Sequence, residues 1–246
     1  MPLSTPSNDA EAATLFLPTQ SRAMLTMRLG GRIAAMLVFV ATALFLTAGT
    51  TSYWEGWAYL AAVFVPVIIL GVVLLVRAPA IVEHRLRPRH HHGMPQLIIS
   101  WFRPLFVLAF LAPGLDYRFH WSDVEVETVP GWLALVADII VVASVLLAGW
   151  AMRTEVQAGG PMNSRRALIS SGPFHIVRHP LYSASLLLWL ATPIALGSWA
   201  GLLVFLLATP FYVLRLRTQE DQLRRHVPGY AAYCKRTPFR IVPFVW

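Results

Sequence analysis

Along the chain, apolar positions gather into runs bounded by charged residues, and several runs approach the roughly 20 residues needed to cross a bilayer. Ile33 to Thr47, Trp57 to Val76 and Gly131 to Ala151 are the clear ones. Leu97 to Leu111 is shorter and holds Arg103 and Pro104 near its start. Leu181 to Leu214 is long enough for two helices and is interrupted at Gly197-Ser198, where a tight turn fits. The pattern predicts an all-α, polytopic membrane protein of about six transmembrane helices, the last two forming a helical hairpin.

Composition removes the main alternatives. The chain is 57% hydrophobic and only 13% charged over 246 residues, with a mean hydropathy of +0.59, too apolar for a soluble domain of this length. Its one cysteine, Cys234, cannot form an intramolecular disulfide. The formal net charge is +8, but the basic residues sit in short clusters beside apolar runs, which reads as a topology signal and excludes a nucleic-acid footprint. With the N-terminus inside, Arg77, Arg85, Arg87 and Arg89, then Arg153, Arg165, Arg166 and Arg178, then every basic residue from Arg215 onward face the cytoplasm. Arg118 alone falls outside, in the acidic loop Asp116 to Glu127. Both termini are therefore expected in the cytoplasm, at the cytoplasmic membrane if the source is bacterial. The first span follows Arg22, Arg28 and Arg32 as a signal peptide would, but no clear small-residue cleavage site follows, so it is expected to be retained. The expected organisation is a mobile tail over 1–21, N-terminal transmembrane helices over 22–152, and a catalytic region with the hairpin over 153–246.

Two long polar inserts stand out against this background. In the first, Gln157 to Tyr182, Gly172-Pro173 breaks any preceding helix and Pro180 suits the first turn of the next. A helix N-terminus opening at the membrane surface favours a carboxylate or phosphate, although Arg178 and His179 can also be simple interfacial anchors. In the second, Arg215 to Trp246, a helix running out of the last span carries Glu220 and Asp221 amid Arg215, Arg217, Arg224 and Arg225. Pairing such as Asp221 with Arg225 accounts for part of this charge. Acidic groups so near the end of a span still need a cationic partner, and a cationic ligand is one candidate. His90, His91 and His92 are read as a basic surface facing anionic lipid, because adjacent residues point apart and make a poor coordination sphere. No metal site is expected. Asp138, inside a span, is functional by default or else hydrogen-bonded or water-exposed near the outer end.

The stretch from about Gln157 to Trp246 resembles the integral membrane methyltransferases that include isoprenylcysteine carboxyl methyltransferase and related phospholipid methyltransferases. It carries G-P-F-x-x-V-R-H-P-x-Y at Gly172 to Tyr182, a helical hairpin, R-x-R-T-x-E-D at Arg215 to Asp221, and Y-x-x-Y-x-K-R-x-P at Tyr230 to Pro238. The resemblance implies that S-adenosylmethionine sits on the cytoplasmic side, between the segment before the hairpin and the helix after it. Carried over by position, Arg166, Ala167, Leu168 and Ile169, then Phe174, then His179, Pro180, Leu181 and Tyr182 contact the cofactor, with Gln157 a further candidate. Glu220 matches the cofactor-binding glutamate, and a preceding arginine, Arg215 or Arg217, matches the substrate-binding one. The family usually shows Glu-Glu where this chain has Glu220-Asp221, which leaves that register open. The implied function is methyl transfer to a lipidic or prenylated substrate. A carboxylate acceptor needs only a guanidinium to orient it, whereas an amine acceptor needs a base, for which His175, His179 or Glu220 are candidates. Three rivals remain: a phospholipid N-methyltransferase; a membrane reductase using NADPH, since Tyr233 to Pro243 also resembles the C-terminus of sterol reductases; and a non-catalytic scaffold or transporter component, which would place more polar groups at midmembrane depth.

Overall fold

The computed structural model describes residues 20–87, 96–123, 128–158 and 168–245. All regular structure among them is helical: α1 Arg22–Ala48, α2 Trp54–Arg77, α3 Pro79–Leu86, α4 Gln96–Phe119, α5 Gly131–Gln157, α6 Pro173–Ile176, α7 Pro180–Ala195, α8 Trp199–His226 and α9 Tyr230–Arg236, with a short 3-10 turn at Trp121–Asp123. Four of these, α1, α2, α5 and α8, are long and apolar enough to cross a membrane. The 24-residue α4 contains Asp116 and Arg118. The 16-residue α7 extends about 24 Å at 1.5 Å per residue, short of a ~30 Å hydrocarbon core. The outer surface is apolar in the way lipid contact requires, with Ile69 59%, Ile139 68% and Leu207 67% exposed.

Sequence explains where the helices begin and end. Ser21 caps α1 by accepting from Met24 N, and Gly49, with φ 70°, ends it. The expected break in the hairpin is present: Gly197 has φ 67°, and Ser198 caps α8 by accepting from Gly201 N at 2.8 Å. Helix α5 packs against α7 and α2, while α1 packs against α4 and α4 against α8. The α1–α4 crossing is close enough that a Cβ on Gly114 would lie 1.9 Å from Thr47 Oγ1 and 2.5 Å from the Leu44 carbonyl oxygen. Val40, Leu44, Tyr59, Phe64, Phe110 and Val141 centre the main core.

The two ends of the bundle differ. At one, the Arg85 guanidinium meets buried Glu155 at 2.5 Å, tying α3 to α5, and Arg32 donates to the Leu86 carbonyl at 2.7 Å. At the other, Asp116 belongs to the last turn of α4 and is buried, its carboxylate accepting from Ser122 N at 2.8 Å and from the Ser122 and Ser198 hydroxyls at 2.5 Å each. There the Tyr53 hydroxyl also donates to the Leu196 carbonyl. Asp138 is 8% exposed, and its Oδ1 has no hydrogen-bond partner. His90, His91 and His92, residues 1–19, and Arg166 and Ala167 lie outside the described residues.

Candidate functional site

The first polar insert is set in place by a glycine. Gly172 adopts φ 57° and ψ −135°, a conformation open essentially to glycine alone. A Cβ there would stand 2.7 Å from Thr154 Oγ1 on α5. Pro173 then starts the single turn of α6, and Pro180 starts α7. Between them the chain is extended, and two of its N–H groups are taken by the C-terminal segment: Arg178 N donates to the Phe239 carbonyl and His179 N to the Arg240 carbonyl, both at 2.9 Å. Ser183 Oγ donates to the Ile241 carbonyl at 2.6 Å, and the Tyr233 hydroxyl to the Phe174 carbonyl at 2.6 Å. The segment after α8 thus folds back over the insert and holds it by main-chain hydrogen bonds.

Glu220 lies at the centre of this arrangement, 2% exposed. Its Oε1 receives Arg178 Nη2 at 2.9 Å and Arg224 Nη2 at 3.3 Å, and its Oε2 receives Arg240 Nε at 2.5 Å. Arg178 is buried as well, and its Nη1 donates to the carbonyls of Thr237 and Pro238 at 2.9 Å each. Its Nε is buried without an acceptor. Three guanidinium groups facing one carboxylate leave the cluster net cationic, so an arriving group that complements it is anionic.

His179 is buried beside the cluster, its Nε2 3.3 Å from the Tyr230 hydroxyl. Burial pushes its imidazole down to about 4, Glu220 opposing the shift and Arg178 and Arg240 adding to it. It is therefore neutral at pH 7 and a weak base. Burial likewise raises the Tyr230 and Tyr233 phenols, which stay protonated. Next to His179, the Tyr182 hydroxyl donates to Gln219 Oε1, and the Tyr212 hydroxyl donates to the Tyr182 carbonyl at 2.6 Å.

Of the residues expected at the site, Ile169 and Phe174, flanked by Leu168 and Leu181, share one apolar cluster with Leu223, Tyr230 and Tyr233. His179, Pro180 and Glu220 are buried nearby, and Tyr182 is half-buried. Gln157 is exposed at the end of α5. Arg215 is half-buried beside Tyr212, on the α8 face that carries Leu216 and Gln219, whereas Arg217 is exposed. The residues that sequence reasoning did not single out are Arg178 and Arg240 as partners of Glu220, and the Arg85–Glu155 pair. A carboxylate near the end of a span was the available signal in both cases, since it requires a cation nearby.

Comparison with known proteins adds sequence evidence to this geometry. Part of the chain is 35% identical over 89 residues to the Delta(14)-sterol reductase of Mus musculus, an alignment covering 35% of this chain and 21% of that protein. The chain thus accounts for only about a fifth of that relative's length. A family model matches residues 128–227, the stretch that builds α5, the insert, the hairpin and Glu220 and ends before α9. Over those residues the protein matches the phospholipid methyltransferase family, the group of membrane methyltransferases that its insert and hairpin resemble.

Proposed function

We propose that the protein is an S-adenosylmethionine-dependent membrane methyltransferase that acts on a lipidic or prenylated acceptor at the cytoplasmic face. The observation that carries this reading is the family match over residues that include Arg178, Glu220 and Arg224 of the buried polar cluster at one end of an apolar bundle. The residues present fit the cofactor: Arg178 has a buried Nε donor in want of an acceptor, which suits the cofactor's carboxylate, and Ile169, Phe174 and Leu223 supply an apolar wall. Bound there, the cofactor supplies an activated methyl group on a sulfonium. Glu220, engaged by three arginines, serves by holding Arg178 in place. Arg215, on the face of α8 toward Tyr212, is assigned to the anionic end of the acceptor; positioning and exclusion of water then carry most of the rate.

The weak basicity of His179 and the full engagement of Glu220 favour an acceptor that arrives already ionised, such as a carboxylate, over an ammonium that must first lose a proton. The name of the matched family favours a phospholipid amine, which is the second reading. The similarity to a sterol reductase favours a third, a reductase using NADPH.

One set of assays on purified protein in detergent separates them: titration with S-adenosylmethionine, S-adenosylhomocysteine and NADPH, and methyl transfer to a prenylcysteine analogue and to phosphatidylethanolamine. The expected result is binding of the first two ligands and transfer to the prenylcysteine analogue. Arg215→Lys lowers transfer about tenfold or more with cofactor affinity unchanged, because the ammonium lacks the planar fork of a guanidinium, while Arg217→Lys keeps both. Binding of NADPH alone overturns the methyltransferase reading; transfer to phosphatidylethanolamine alone replaces the carboxylate acceptor with an amine.

A further inference from the structure

A cavity of about 390 Å³ opens between α1, α2, α4, α7 and α8, a volume in the range of small-molecule sites, about 300–1,000 Å³. Val40, Phe64, Phe106, Phe110, Leu188 and Trp189 make most of its wall. Met36, which also lines it, is 38% exposed, so the cavity reaches the lipid-facing surface of the bundle. Four hydroxyl residues line it as well: Ser185 and Tyr212 toward the candidate site, Tyr59 and Thr192 farther along. Ser185 and Thr192 are seven positions apart on α7, which puts them on one face roughly 10 Å from each other.

The direction of the hydrogen bonds decides what these hydroxyls offer. Thr192 Oγ1 donates its proton to the Leu188 carbonyl at 2.7 Å, so in its 3.1 Å contact with the Tyr59 hydroxyl the threonine oxygen is the acceptor and the phenol the donor. Tyr212 donates to the Tyr182 carbonyl and Ser185 to the Leu181 carbonyl at 2.7 Å. Even the Trp189 indole N–H is taken, by the Phe205 carbonyl at 3.0 Å. The four hydroxyls therefore have lone pairs left and no protons. Apart from the exposed Arg32 guanidinium, the wall offers no free donor, so a ligand that satisfies the buried Tyr59–Thr192 pair has to bring the proton itself.

We infer that this cavity binds a neutral, largely apolar lipid alcohol, whose hydroxyl donates to the Tyr59–Thr192 pair while its chain lies along Phe106, Phe110 and Trp189. Arg32, the one charged residue of the lining, is exposed on α1 with its Nη2 on the Leu86 carbonyl, so a cation is disfavoured; an ion of either sign drawn in to the buried Tyr59–Thr192 pair loses its hydration. An ether or hydrocarbon of the same shape fills the space but donates nothing.

The test does not require methyl transfer, so it succeeds or fails independently of the proposed activity. The full chain in lipid nanodiscs is labelled with a diazirine-bearing long-chain alcohol, the labelled peptides are mapped by mass spectrometry, and geranylgeraniol competes against its methyl ether. The expected result is labelling in α2 and α7, with the alcohol competing at about tenfold lower concentration than the ether, the factor for one hydrogen bond. Thr192→Val releases the phenol proton of Tyr59, which then donates to either competitor, and the preference collapses. Thr192→Ser keeps the relay and the preference. Equal competition by alcohol and ether in the parent or in Thr192→Ser overturns the inference even where the valine variant does not fold. Labelling confined to other helices, or a preference that survives in Thr192→Val, overturns it equally.

Discussion

Glu220 carries one negative charge against three guanidinium groups, and the most deeply buried of these, Arg178, depends on it most. Removing the carboxylate leaves a cation uncompensated away from water, which costs about 3–5 kcal/mol. Glu220→Gln is therefore expected to lower the denaturation midpoint in detergent clearly, and combining it with Arg178→Met is expected to recover part of the loss, because the orphaned charge disappears. A single variant as stable as the parent would refute the account of this cluster. The residue types were legible in the sequence: Glu220 was marked because a carboxylate near the end of a span needs a cation. Its partners were not, since Arg178 lies before the hairpin and Arg240 beyond α9, and only the folded chain brings them together. For the same reason the sequence left Arg215 and Arg217 as equals; in the folded chain Arg215 is half-buried and Arg217 exposed.

At the scale of elements, Gly172 holds the insert against α5. Alanine there adds a Cβ 2.7 Å from Thr154 Oγ1 on a backbone with positive φ, at a conformational cost of about 1–3 kcal/mol before the contact is counted. Gly172→Ala is expected to speed hydrogen exchange over residues 168–183 and the tail after α9 while α1 and α2 keep their protection; unchanged exchange over 168–183 would count against the role assigned to this glycine. The breaks at Gly172-Pro173 and Gly197-Ser198 were readable because their signals are local: positive φ, fixed φ and a capping hydroxyl. The main-chain bonds from Arg178 and His179 to Phe239 and Arg240 were not, because carbonyl acceptors carry no side-chain signature. The apolar runs were legible, but the span number read from them was not: about six spans were expected, and among the described residues four helices are long and apolar enough to cross. Pro180 and Gly197-Ser198 already bounded α7 in the sequence, yet the 16 residues that form it were counted as a full span.

For the whole molecule, the hydrogen bonds and ion pairs sort its two ends by charge. Arg32, Arg85 and the Glu220 cluster belong to the basic side, and Asp116, Ser122 and Ser198 to the other. With the basic end in the cytoplasm, Thr128→Cys, exposed in the opposite loop, is expected to react with a membrane-impermeant maleimide in intact cells, while Cys234 reacts only after permeabilisation. The reverse pattern would invert the topology. Thr128 is a better reporter than Ser122, whose hydroxyl is bound to Asp116. The crossing of α1 and α4 has a further consequence, in heredity rather than mechanics. Every base change that alters a glycine codon to another residue adds a Cβ, and at Gly114 that atom would lie inside Thr47 and against the Leu44 carbonyl. No single missense mutation at this codon leaves the crossing intact, and because the Leu44 carbonyl is main chain, a second mutation trimming Thr47 relieves only part of the clash. A lineage can change this residue only by moving two helices apart.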